Sequence, residues 1–146
     1  MLIFVFVCIL CWISITDIYT QRIPDSAILF AIGFRILYFI FEQGFQWKEL
    51  LIILANGLAI SFPLLLFVLI VENVFKKELL GGGDIKLLFV TGIYLGWEQN
   101  LWVLLVACIF GCVIGLIQTR KQKDNYFPFG PSIALGAILS MNLPWI

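Results

Sequence analysis

Histidine is absent from this chain, its formal net charge is zero, and charged residues make up only 12% of its 146 positions. Each shortage excludes a kind of chemistry. Without histidine there is no Ser-His or Cys-His nucleophile system, no His-Glu-x-x-His zinc protease and no imidazole ligand cluster. Without an excess of Lys and Arg there is no patch able to neutralise a run of phosphates, so a nucleic-acid partner is not expected. If the chain is a catalyst, carboxylates are its natural acid and base groups.

Cysteine is present four times, but in poor company. Cys8 and Cys11 form a C-x-x-C, and Cys108 and Cys112 fall at i, i+4. Both pairs sit inside apolar runs with no polar neighbours to complete a site, and a disulfide between neighbours on one helix is geometrically disfavoured. Packing is the preferred reading, and neither a metal nor another cofactor is expected.

What the chain has in abundance is apolar surface: 62% of its residues are hydrophobic and the mean hydropathy is +1.08. That balance describes an integral membrane protein with no room for a separate soluble domain. Six apolar segments, over residues 2 to 19, 26 to 41, 50 to 71, 84 to 97, 101 to 118 and 130 to 146, predict an all-α, polytopic bundle of six transmembrane helices. The first segment has no preceding Lys or Arg and no small-residue cleavage site, so it reads as a retained helix. A single domain covering residues 1 to 146 is expected.

Orientation follows from the cations. Alternate loops hold Arg22, then Lys76 and Lys77 with Lys86 just beyond, then Arg120, Lys121 and Lys123. The loops between them hold only Lys48. The termini are therefore expected outside and the basic loops in the cytoplasm. Arg120, Lys121 and Lys123 read as topology determinants facing anionic lipid. Trp47, Trp97, Trp102 and Trp145 then fall near the outer boundary, where indoles prefer to sit.

The fourth span is short. From residue 85 to residue 97 a helix covers roughly 20 Å of a hydrocarbon core about 30 Å thick. Gly81, Gly82 and Gly83 are thereby drawn to membrane depth, where a Gly-rich break before helix 4 is tolerated only if it is buried in protein or lines a wet cavity. Asp84 follows directly. Asp17 falls at the inner end of helix 1, at the same depth. Two carboxyls close together share one proton over a broad pH range. They are the minimum equipment for aspartic-type hydrolysis, in which an ionised acid activates water and a protonated one polarises the carbonyl. Glycine adds access to positive φ and close approach of a substrate backbone. A bland reading, in which Asp84 is merely an N-cap, stands beside this one.

Other polar residues invite structural roles. Asp25 or Ser26, after Ile23-Pro24, is expected to cap helix 2. Arg35 is expected to snorkel toward Glu42. Lys86 either steadies the Asp84 region or reaches the headgroups.

Three stretches then carry a resemblance. Asp17-Ile18-Tyr19-Thr20-Gln21-Arg22-Ile23-Pro24-Asp25, Gly81-Gly82-Gly83-Asp84-Ile85-Lys86-Leu87-Leu88 and Phe127-Pro128-Phe129-Gly130-Pro131 with Ala134-Leu135-Gly136 resemble, in order, the motifs of the prepilin peptidases, the G-x-G-D membrane aspartic proteases. The resemblance implies a bacterial inner-membrane endopeptidase that removes a short basic leader from type IV prepilin-like precursors at the cytoplasmic face. It carries catalysis onto Asp17 and Asp84. Gly81, Gly82, Gly83, Lys86 and Pro24 become supporting residues, and Pro128, Phe129, Gly130 and Pro131 help shape the cleft. Partners are the precursor and the bilayer. Preflagellin peptidases share the motif, and a proton-coupled transporter component is the alternative from another class. Bifunctional members carry an additional N-terminal region with a cysteine-containing segment, so methyl transfer by this polypeptide is not expected.

Overall fold

The structure is a computed structural model that describes residues 1–76, 80–119 and 129–142. Six helices and no strands are found among them: α1 (Leu2–Thr20), α2 (Asp25–Gln43), α3 (Trp47–Phe75), α4 (Gly82–Leu95), α5 (Trp97–Thr119) and α6 (Gly130–Asn142). Lys77, Arg120, Lys121, Lys123, Phe127, Pro128 and Trp145 lie outside the described residues. The six apolar segments correspond to the six helices, with α3 extended at both ends.

Two of the helices, Leu2–Thr20 and Trp47–Phe75, are long and apolar enough to cross a membrane. Large apolar side chains also cover the outside of the molecule. Phe4, Ile15, Phe30, Phe67 and Ile109 are each more than half exposed, a surface suited to lipid rather than to water. The four cysteines are free and belong to this outer surface, on α1 and α5.

α4 occupies the centre. It packs against α2, α3, α5 and α6, and Ile85, Leu87, Leu88, Val90, Thr91 and Ile93 are all buried around it. Fourteen residues give it a length of about 21 Å, and its burial explains how so short a helix holds its place. Helices surrounded by lipid gain little from hydrophobic burial against each other, so close packing and hydrogen bonds hold them. Both are visible along α4. A Cβ on Gly92 would come within 2.8 Å of the Gly57 Cα and the Asn56 carbonyl oxygen, so glycine on both helices lets α3 and α4 cross nearly backbone to backbone. Beside the same crossing, the buried Asn100 of α5 donates to the Leu88 carbonyl at 3.0 Å and accepts from the Thr91 hydroxyl at 2.6 Å.

The C-terminal end of α4 is held from α1 and α2. At its C-terminal end Arg35 Nε donates to the Ile93 carbonyl at 3.0 Å, satisfying one of the carbonyls that a helix end leaves unpaired. The hydrogen bond described for this side chain is thus with the end of α4, a partner beyond its own helix. Tyr94 stacks on Phe6 of α1, centroids 4.1 Å apart, and donates to the Ala31 carbonyl of α2 at 2.8 Å.

Two local expectations are corrected. The N-cap of α2 is Pro24, in extended conformation and without a side-chain cap. Asp25 is already the first helical residue, and its carboxylate is turned to another partner, described below. The glycine run also contributes less irregular backbone than expected. Gly81 is the extended N-cap of α4 at φ −64°, Gly82 and Gly83 are helical, and positive φ occurs only at Gly44 and Gly96 among the described glycines.

Candidate active site

Asp17 lies in the last turn of α1, where the Gln21 amide closes the helix on the Asp17 carbonyl at 2.8 Å. Its side chain is buried, at 4% exposure, and points to the start of α6. There the Gly130 amide donates to Asp17 Oδ2 at 2.9 Å. The first amides of a helix have no internal acceptor and carry the positive end of its dipole, so a carboxylate is well placed there. Glycine is what makes the approach possible: a Cβ on residue 130 would stand 2.7 Å from Asp17 Oδ2. Pro131 follows inside the first turn of α6, where its missing N–H costs nothing.

Asp84 belongs to the first turn of α4. Its amide donates to the Gly81 carbonyl at 3.0 Å, within the first turn of the helix. At 9% exposure it too is largely withdrawn from the surface. Asp84 is therefore not the N-cap; that position is Gly81.

The two acids share a cavity of about 300 Å³. Gly81, Gly82 and Gly83 form its α4 side, Gln21, Arg22 and Ile23 follow from α1, and Phe129, just before α6, lines it too. The N-termini of α4 and α6 thus meet at one polar hollow inside an apolar molecule. The glycines divide the labour: a Cβ on Gly83 would press on the Ile23 side chain at 3.1 Å, whereas one on Gly82 would meet nothing within 4 Å. Gly83 therefore serves packing against the α1–α2 connection, and Gly82 leaves open space in the cavity.

A family model described as the type IV leader peptidase family matches residues 4–116, a stretch that contains both acids. The chain belongs to that family. Relatives named prepilin leader peptidase/N-methyltransferase include one from Legionella pneumophila, 29% identical over 89% of this chain and 47% of its own length. Others are from Pectobacterium carotovorum, 30% identical over 88% of this chain and 46% of the relative, and from Escherichia coli, 29% identical over 98% of this chain and 64% of the relative. The chain thus spans about half to two thirds of the length of these curated relatives. No solved structure matches it.

Within this family member, the residues singled out from sequence mostly converge. Asp17, Asp84, Gly81, Gly82, Gly83, Lys86 and Phe129 all line the cavity, Gly130 donates to Asp17, and Pro24 turns the chain into α2. Pro128 lies outside the described residues. Lys86 lines the cavity with Asp84 and also pairs with Asp25: its Nζ stands 2.6 Å from Asp25 Oδ1, joining α4 to α2. The specific bond from Gly130 to Asp17 and the Asp25–Lys86 pair have no signal in the sequence, since 113 and 61 positions separate their members.

Proposed function

We propose that the chain is an aspartic-type prepilin leader peptidase, a single membrane-embedded domain that removes the short basic leader of type IV prepilin-like precursors. The observation that carries this reading is the meeting of two buried aspartates, 67 positions apart in sequence, on one polar cavity at the N-termini of two helices. Family membership and the names of the relatives point the same way.

In this reading Asp17 and Asp84 are the catalytic pair, with one proton between them. The ionised member takes a proton from a water molecule as that water's oxygen bonds to the scissile carbonyl carbon. The protonated member donates a hydrogen bond to the carbonyl oxygen as negative charge gathers there. The carbon–nitrogen bond then breaks, and the departing amine receives a proton from the pair. Neither metal nor cofactor enters these steps. Gly82 leaves room for the main chain of the precursor, and the buried walls limit competing water.

The six helices form a multi-pass bundle in the bacterial inner membrane, with residue 1 and the end of α6 outside. The cavity opens at the cytoplasmic face, on the side of the basic loops. Cleavage of a prepilin-like precursor in proteoliposomes tests the assignment. Asp17→Asn and Asp84→Asn each abolish cleavage, while Glu49→Gln, far along the chain at the start of α3, retains it. Cleavage that survives both Asn substitutions would refute the dyad, and proton flux without cleavage would favour a transporter.

A further inference from the structure

A second and larger cavity adjoins the carboxyl site. It measures about 470 Å³ and runs between α2, α3 and α4. Leu29 and Ile32 of α2, Leu58, Phe62 and Leu65 of α3, and Phe89 of α4 make its walls almost wholly apolar. Leu29, Leu58 and Phe62 are each more than half exposed, so the groove opens sideways, on the surface suited to lipid. From Leu58 to Leu65 it extends about 10 Å, the rise of two helical turns.

The two cavities have two lining residues in common, Asp25 and Lys86. These are the partners of the 2.6 Å ion pair that joins α2 to α4. The pair therefore stands where the apolar groove passes into the polar site. Its side chains are 70% and 53% exposed, and an ion pair so open to its surroundings costs little to separate.

Resting on the peptidase reading, we propose that this groove is the berth of the substrate's own apolar helix and that the Asp25–Lys86 pair is the gate between berth and catalytic acids. A peptidase that cuts at the end of an apolar span has two demands to meet at once. The span must stay against apolar surface, and the chain leaving it must unwind to expose the scissile peptide. Berth and site are continuous at the point where that change occurs. Two turns of an apolar helix match the groove's length, and the unwound main chain, having given up its helical hydrogen bonds, needs new partners. Once parted, Lys86 supplies a donor and Asp25 an acceptor to the strand passing between them.

The test uses the full chain in proteoliposomes with a prepilin-like precursor. A photo-crosslinking residue replacing Phe62, in a chain also carrying Asp17→Asn, captures the precursor through its apolar segment. The same residue replacing Trp12, on a different exposed face of α1, does not. Capture of lipid alone at position 62, or equal capture at both positions, overturns the berth. Kinetically, Leu58→Trp narrows the groove and raises KM for the precursor at least tenfold with kcat within twofold; an unchanged KM, or a loss confined to kcat, overturns it. Asp25→Asn opens the gate and lowers KM by up to about fivefold. A raised or unchanged KM overturns the gate. Cleavage of the precursor by the wild-type chain, together with no capture by the position-62 crosslinking chain, removes the berth and leaves the peptidase reading standing. Cleavage unaffected by Asp17→Asn and Asp84→Asn removes the peptidase reading itself.

Discussion

Replacing Gly130 with alanine adds one methyl group directly against a proposed catalytic acid. The new Cβ would lie 2.7 Å from Asp17 Oδ2, 3.2 Å from its Cγ and 3.3 Å from its Cβ. Relief to the 3.4 Å of ordinary contact demands a shift of about 0.7 Å at the carboxylate oxygen. Asp17 has little freedom to yield, because it is 4% exposed and fixed in the last turn of α1. The shift also stretches the 2.9 Å bond from the Gly130 amide, and a hydrogen bond to a charged group is worth about 1.5–3 kcal/mol. Misplacement of a catalytic group by about 1 Å costs on the order of a hundredfold in rate. Gly130→Ala should therefore lower kcat for precursor cleavage by roughly ten- to a hundredfold. KM should change much less, since neither the apolar groove nor its gate is touched. Steady-state cleavage in proteoliposomes, with thermal unfolding followed in parallel, checks both. A kcat within twofold of wild type would mean that Asp17 is not held by Gly130 during the reaction or does not act in it.

Gly82→Ala offers the complementary test: with nothing within 4 Å of its Cβ, it should leave the thermal midpoint unchanged and raise KM for the precursor, because the methyl occupies the cavity rather than the protein. Gly92→Ala forces a Cβ to 2.8 Å from backbone atoms of α3 and should destabilise the bundle by about 1–3 kcal/mol, read from denaturation in detergent. Arg35→Met keeps a long apolar stem but removes the donor to the Ile93 carbonyl; a loss of about 1–3 kcal/mol is expected, with cleavage by the folded fraction retained.

Much of the site was legible as residue types. A carboxyl at the inner end of an apolar span is costly unless something uses it, which singles out Asp17 and Asp84 as candidates. Span length found the need for a cavity beside Gly81 to Gly83. Less legible were the polar side chains that tie one helix to another. Asp25 follows an Ile-Pro and so looks like a cap, yet Lys86 on α4 lies close enough to take its carboxylate. Arg35 has Glu42 two turns along its own helix, yet it bonds the end of α4.

The sequence by itself determined the apolar class of the molecule, the six helical segments, and the choice of Asp17 and Asp84 as candidate acids with the glycines that accompany them. These follow from local properties: apolar run length, the breaks between runs, and the improbability of an acid inside one. Tertiary structure alone decided that α4 is the central helix, that Gly130 is the residue whose amide holds Asp17, and that Asp25 and Lys86 pair where groove and site share their lining. The physical reason lies in the helices' composition. With lipid as the surrounding medium, a helix can be apolar on every face, so its pattern does not reveal which face meets which neighbour. That choice rests on where glycines permit close approach and where buried polar groups find partners, and both depend on residues far apart in the chain.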